Sequence, residues 1–139
     1  MVRTMRSIGT CATVACLGEA MAPKPGNVQR GADFEDLTFA DFATSAAIVG
    51  PILDRTNTQG VGQTVRAAVE ATQAAVDTNT NLGILLLMTP LAAIDQSVPV
   101  REGLAEVLAR VTSEDTRQVY EPISLAHAGG LGQVAAADV

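Results

Sequence analysis

Aromatic side chains are nearly missing from this 139-residue chain, which has three Phe, one Tyr and no Trp. A core has to be filled by aliphatic residues instead, and Ala, Leu, Val and Ile are frequent enough to fill one in a single domain of this length. Positive charge is scarce as well: nine Lys and Arg face fifteen Asp and Glu, for a net charge of −6. A nucleic-acid surface needs clustered Lys and Arg, and the charges here are dispersed, so that class of partner is excluded. A small anionic ligand is not excluded, because a few positioned cations serve it. There are two cysteines and one histidine, His127, too few for a zinc site. Cys11 and Cys16 sit on diverging faces of one helix and are expected as buried free thiols in a reducing cytoplasm. Long apolar runs are absent too. The longest, Leu82 to Ile94, is interrupted by Thr89 and Pro90 and is too short to span a bilayer. Arg3 and Arg6 are followed by no sustained apolar leader segment. The expectation is a soluble, cytoplasmic protein with no nucleic-acid or membrane partner.

What the chain does have is helical periodicity. Small and apolar residues recur at helical spacing from Met5 to Met21, and Pro23 ends that helix. Residues 26–37 look irregular. Thr38 and Asp41 form a capping-box pattern opening a helix to Leu53, with Pro51 bending or breaking its last turn. Asp54 to Gly60 is turn-like, and Val61 to Val76 is amphipathic. Thr80 or Asn81 caps the apolar segment, which Pro90 should kink or end early. Ser97 and Pro99 start a further helix through Val111. Thr112 to Asp115 caps a last one running towards Ala128, with Pro122 as an interior irregularity. No hairpin chemistry and no fixed-period repeat occurs. The expected fold is an all-α, compact multi-helix bundle of about six helices in a single domain over residues 1–139.

Three junctions concentrate special residues at helix ends. Lys24 is held between Pro23 and Pro25 and is followed by Gly26 and Asn27; Asn79-Thr80-Asn81-Leu82-Gly83 precedes the apolar helix; Gly129-Gly130-Leu131-Gly132 lies near the C-terminus. Helix ends and glycine-rich turns of this kind are ready anion sites, and they also serve as plain caps and stops. Neither the P-loop nor the dinucleotide fingerprint is present, so a nucleotide site would be assembled between helices. Glu19 stands in the last turn of the first helix, where the dipole disfavours a carboxylate. Glu19, Asp33, Asp36 and Asp138 are oxygen donors of the kind Mg²⁺ takes, at no diagnostic spacing.

Taken together, these elements resemble the triphosphoribosyl-dephospho-CoA synthase family, named for the citrate-lyase accessory protein CitG and its malonate-decarboxylase counterpart. The residues that carry the resemblance are Glu19, the run Pro23 to Val28, Phe42 with Ser45-Ala46, Asn79 to Gly83, and the glycine cluster with Asp138-Val139. The resemblance spans nearly the whole chain and matches the N-terminal portion of a longer family domain. It implies an all-helical enzyme that joins the ribose of ATP to 3′-dephospho-CoA, releasing adenine and forming a prosthetic-group precursor. Lys24 and Arg30 would then hold phosphate. Glu19 and Asp138 would act as the base or as Mg²⁺ ligands. Asn79, Thr80 and Asn81 would orient ribose or phosphate, and Gly26, Asn27, Ser45, Gly83, Gly129, Gly130 and Gly132 would complete the nucleotide site.

The chain departs from the characterised branch in two places. Asn81-Leu82 stands where that branch has a His-Lys pair, and residues 28–41 contain no histidine. This places it on a divergent branch, whose acceptor is dephospho-CoA-like or belongs to another cofactor pathway. As an N-terminal portion the chain is expected to need self-association, a partner or the missing C-terminal portion and to be inactive alone; the competing readings are a non-catalytic helical binding or assembly module that keeps the scaffold, and a nucleotide hydrolase.

Overall fold

The computed structural model describes residues 7–24, 28–29, 31–35, 37–76, 78 and 80–125. Small residues set how closely its first two helices approach. α1 (Ile8–Met21) crosses α2 (Phe39–Leu53) where Gly9 lies against Gly50. A Cβ on Gly9 would run into the Gly50 carbonyl, and one on Gly50 into the Thr13 hydroxyl. The crossing is also hydrogen-bonded. The Thr13 hydroxyl donates to the Ala46 carbonyl at 3.0 Å, and the Gly9 N–H donates to Asp54 Oδ1 at 2.7 Å.

Local chemistry fixes the ends of these helices. The Ser7 hydroxyl accepts the Thr10 N–H at 3.1 Å at the start of α1. At its end Ala22 is extended, as the residue before a proline must be. In α2 the capping box is complete: the Thr38 N–H donates to Asp41 Oδ2 at 2.8 Å, and the Asp41 N–H returns to the Thr38 hydroxyl at 3.4 Å. Pro51 does not break the helix, which continues to Leu53.

The segment expected as a turn after Leu53 contains a single helical turn, α3 (Thr56–Gln59). Its bonds are the Gln59 and Gly60 N–H groups donating to the Arg55 and Thr56 carbonyls at 3.0 and 2.9 Å. Gly60, at φ 84°, then redirects the chain into α4 (Val61–Val76). α5 (Leu82–Ala92) runs through Pro90 rather than stopping before it. The carbonyl that Pro90 leaves without its helical donor belongs to Leu86, an exposed residue that water can reach. α6 (Val100–Arg110) and α7 (Ser113–Leu125) complete seven helices among the described residues, one more than the pattern suggested because of α3. The expected extension of α7 to Ala128 lies outside the described residues.

α4 is the central element and packs on α2, α5 and α7. Val49, Leu53, Val65, Ala68 and Leu85 form the fully buried centre, an aliphatic core as the composition requires. Cys16 is buried there, its thiol 3.9 Å from Met88 Sδ, but Cys11 is exposed, contrary to the expectation for both thiols. α1 is apolar on most of its circumference, so the sequence alone does not say which of its faces turns inward. The fold is all-α: apart from one isolated bridge, Gln29 to Ala32, no β pairing occurs among the described residues. None of the described helices is long and apolar enough to cross a membrane.

Candidate functional site

The C-terminal end of α1, the segment entering α2 and the first turn of α5 meet around a cleft of about 280 Å³. Glu19 lines it from α1, Leu37 and Phe42 from the α2 side, and Thr80 to Ile84 from the start of α5. Two of the three junctions singled out in the sequence therefore meet here, the first through Glu19 and its partner Lys24. The Lys24 ammonium forms an ion pair with Glu19 Oε1, and both side chains stay a little over a third exposed. A pair so placed adds little to stability. It does neutralise the one described carboxylate that lines the cleft.

The first turn of α5 is anchored from behind. The Thr80 hydroxyl donates to Ser45 Oγ at 2.6 Å, and the Ser45 hydroxyl donates to the Asp41 carbonyl at 2.8 Å. Ser45 is only 1% exposed and does not line the cleft. It stands behind the wall and holds Thr80, and through Asp41 it ties the start of α5 to the capping box of α2. The backbone of Asp41 serves this tie, while its carboxyl is held below the usual carboxylate range by the Thr38 N–H and then by the Thr38 hydroxyl.

Asn81 is next along the wall. It occupies the N-cap position of α5, but its side chain makes no capping hydrogen bond. It is 7% exposed, and its Nδ2 has no hydrogen-bond partner. A buried donor left in that state costs about 1–3 kcal/mol. Gly83 follows in the same turn, with nothing within 4 Å of where a Cβ would lie. Neither residue is placed for the benefit of packing.

Three groups near the cleft are accounted for otherwise. The Cys16 thiol, one turn before Glu19, is pushed up by burial and then by the Glu19 charge, so it stays protonated and is a poor nucleophile. Asp33 accepts the Phe39 N–H at 2.6 Å beside the start of α2. Phe34 N–H closes the same loop onto the Leu37 carbonyl at 2.9 Å, which fixes Leu37 at the cleft wall. No group of three or more His, Cys, Asp or Glu that could hold a metal occurs among the described residues.

Of the residues expected at a nucleotide site, the structure brings Glu19, Thr80, Asn81 and Gly83 to one cleft, with Lys24 on Glu19 and Ser45 behind Thr80. Gly26, Asn27, Arg30, Asn79, Gly129, Gly130, Gly132 and Asp138 lie outside the described residues, as do Asp36 and His127. Sequence reasoning missed Leu37 and Ile84, which carry no chemical signature and reach the cleft only through the packing of α2 and α5.

Comparison with known families assigns the chain to a group of transferases. The family model described as CitG, ATP:dephospho-CoA triphosphoribosyl transferase, matches residues 5–139, and the chain belongs to that family. No curated protein and no solved structure matches it significantly.

Proposed function

We propose that the chain contributes the nucleotide site of an ATP-dependent ribosyl transfer, with a 3′-dephospho-CoA-like molecule as acceptor and adenine as the leaving group. The observation that carries this reading is the convergence of Glu19, Thr80, Asn81 and Gly83 on one cleft, with Lys24 paired to Glu19, within a chain of this family. In the reaction the C1′–N9 bond of ATP breaks and its electron pair leaves with adenine. A bond forms from the acceptor hydroxyl oxygen to C1′, and the hydroxyl proton is passed on to the departing base. The ribose centre gains positive charge as the bond breaks, and a fixed carboxylate stabilises such charge.

Glu19, the described carboxylate that lines the cleft, would do this or take the hydroxyl proton. Lys24 would leave Glu19 for a phosphate oxygen, since an incoming polyanion outcompetes one carboxylate for the ammonium. Thr80, fixed by Ser45, keeps Asn81 at the wall. Mg²⁺ arriving on the triphosphate would neutralise phosphate charge and would find Glu19 as its protein ligand. A reducing cytoplasm fits the two unpaired thiols.

The test is product analysis. The chain is incubated with ATP, MgCl₂ and 3′-dephospho-CoA, and adenine release is followed with and without Lys24→Ala. Adenine release that needs Mg²⁺ and falls in the variant supports the reading. ADP or pyrophosphate in place of adenine would make the chain a nucleotide hydrolase. ATP binding without turnover would make it a binding module.

A further inference from the structure

α1 and α5 run antiparallel along one side of the molecule. The end of α1 and the start of α5 meet at the cleft, while Cys11, Ala12 and Ala15 share with Met88 and Leu91 a mostly apolar groove of about 400 Å³. Leu87, one turn before Leu91, is 74% exposed, and Val14, one turn after Cys11, is 56% exposed. Large apolar side chains gathered around a groove, rather than scattered singly, mark an interaction surface. The two helices hold a single charged residue between them, Glu19, and Lys24 neutralises it.

We infer that this face is where two copies of the chain associate, with Leu87 of each copy entering the groove of the other. Two features choose a second copy over another occupant. Ridge and groove lie side by side on one patch, so a two-fold axis through it lets the patch serve as its own partner. The exposed side of α1 is lined by Cys11, Ala15 and Gly18, one turn apart, which lets the partner's helix come close. Charge points the same way. Chains of net charge −6 repel one another where their charged surfaces meet, and the α1–α5 face brings no net charge into the contact. A membrane surface would call for Lys or Arg beside the apolar residues, and α1 and α5 contain neither. The inference stands apart from the nucleotide reading, since it uses neither the cleft nor a ligand.

The test is sedimentation equilibrium of the 139-residue chain over a range of concentrations, paired with the rate at which iodoacetamide alkylates Cys11. Cys11 is exposed and lines the groove, whereas Cys16 is buried, so Cys11 alone reports on this face. A dimer is expected, with alkylation slowing as concentration rises. Leu87→Lys places like charges in the contact and should raise the dissociation constant about thirtyfold or more, leaving Cys11 alkylated at the monomer rate. Leu87 is largely exposed within one chain, so the variant should keep the helical circular dichroism of wild type. Tyr120→Lys is the control: Tyr120 is 64% exposed on α7, which packs on α4, and its change should leave the dimer intact.

A dimer that survives Leu87→Lys, or whose formation leaves Cys11 alkylation unchanged, uses another surface and overturns the proposal. A monomer at every concentration overturns it as well. If Cys11 of that monomer resists alkylation, a segment of its own chain covers the face; if Cys11 reacts freely, the face belongs to a different protein.

Discussion

The first turns of α4 and α5 are built from similar parts and finished in opposite ways. Each has glycine as its second residue, and each lies close to a polar side chain. At α4, Asp115 reaches across from α7: its Oδ1 accepts the Gly62 N–H at 3.0 Å, and its Oδ2 accepts the Thr112 N–H at 2.9 Å. One carboxylate thus caps two helices, and glycine is there because α7 lies directly on it. At α5 the neighbouring polar group is Asn81, whose Nδ2 has no partner, and the glycine faces empty space. Where a fold uses a helix end for its own assembly, donors are satisfied and space is filled. Where neither happens, as at the start of α5, the helix end gives up stability that packing and pairing would have supplied.

Substitutions can break that contrast, and the largest effect is expected at Gly62. Gly62→Ala forces α7 away from α4 and should lower stability by about 2–3 kcal/mol, read as a fall in the urea midpoint. An unchanged midpoint would show that the α4–α7 junction is not tight. Asp115→Ala should cost about 1–2 kcal/mol, because two helix ends lose their acceptor together.

The same carboxylate gives a pH test. The Thr112 N–H, and then the Thr112 hydroxyl, hold Asp115 below the usual carboxylate range. Its stabilising effect is therefore complete above a pH of about 4, the unfolded value, and is lost as pH falls through the depressed folded value. Asp41, Asp95 and Glu114 are depressed too, so Asp115→Asn should flatten the acid limb of the stability profile only in part. Identical acid limbs would remove Asp115 from the account.

At α5 the signs should reverse. Asn81→Leu removes an unpaired buried donor and should leave stability unchanged or raise it by up to about 1 kcal/mol. Gly83→Ala should raise it by about 0.5 kcal/mol. A fall in melting temperature for both would mean that this turn is structural after all, and the contrast with α4 would vanish. The smallest effect belongs to Lys24→Met, which should move stability by less than about 0.5 kcal/mol because the pair with Glu19 is well solvated. Its consequence should appear in ATP binding instead.

Much of the fold was legible because helix ends announce themselves locally. Thr38 with Asp41 and Thr112 with Asp115 are complete reciprocal boxes in the structure, and Pro23 stops α1 where it should. α3 was not legible, since four residues are too few to show a period. Cys11 was misjudged because α1 is apolar on most sides, so its exposed face cannot be told from its buried one. Glu19, Lys24, Thr80, Asn81 and Gly83 were picked out from their residue types at helix ends. That Ser45 stands behind Thr80, that Glu19 is held by Lys24, and that Leu37 and Ile84 complete the walls could not be read, because each depends on how distant helices dock.

By itself the sequence determined the helical class, most helix boundaries and the family, since caps, prolines and apolar period act over a few residues and need no knowledge of the rest of the chain. Only the tertiary structure decided which glycine is packed and which is open. That difference depends on whether another helix lies on top: α7 does so at Gly62, and nothing does at Gly83.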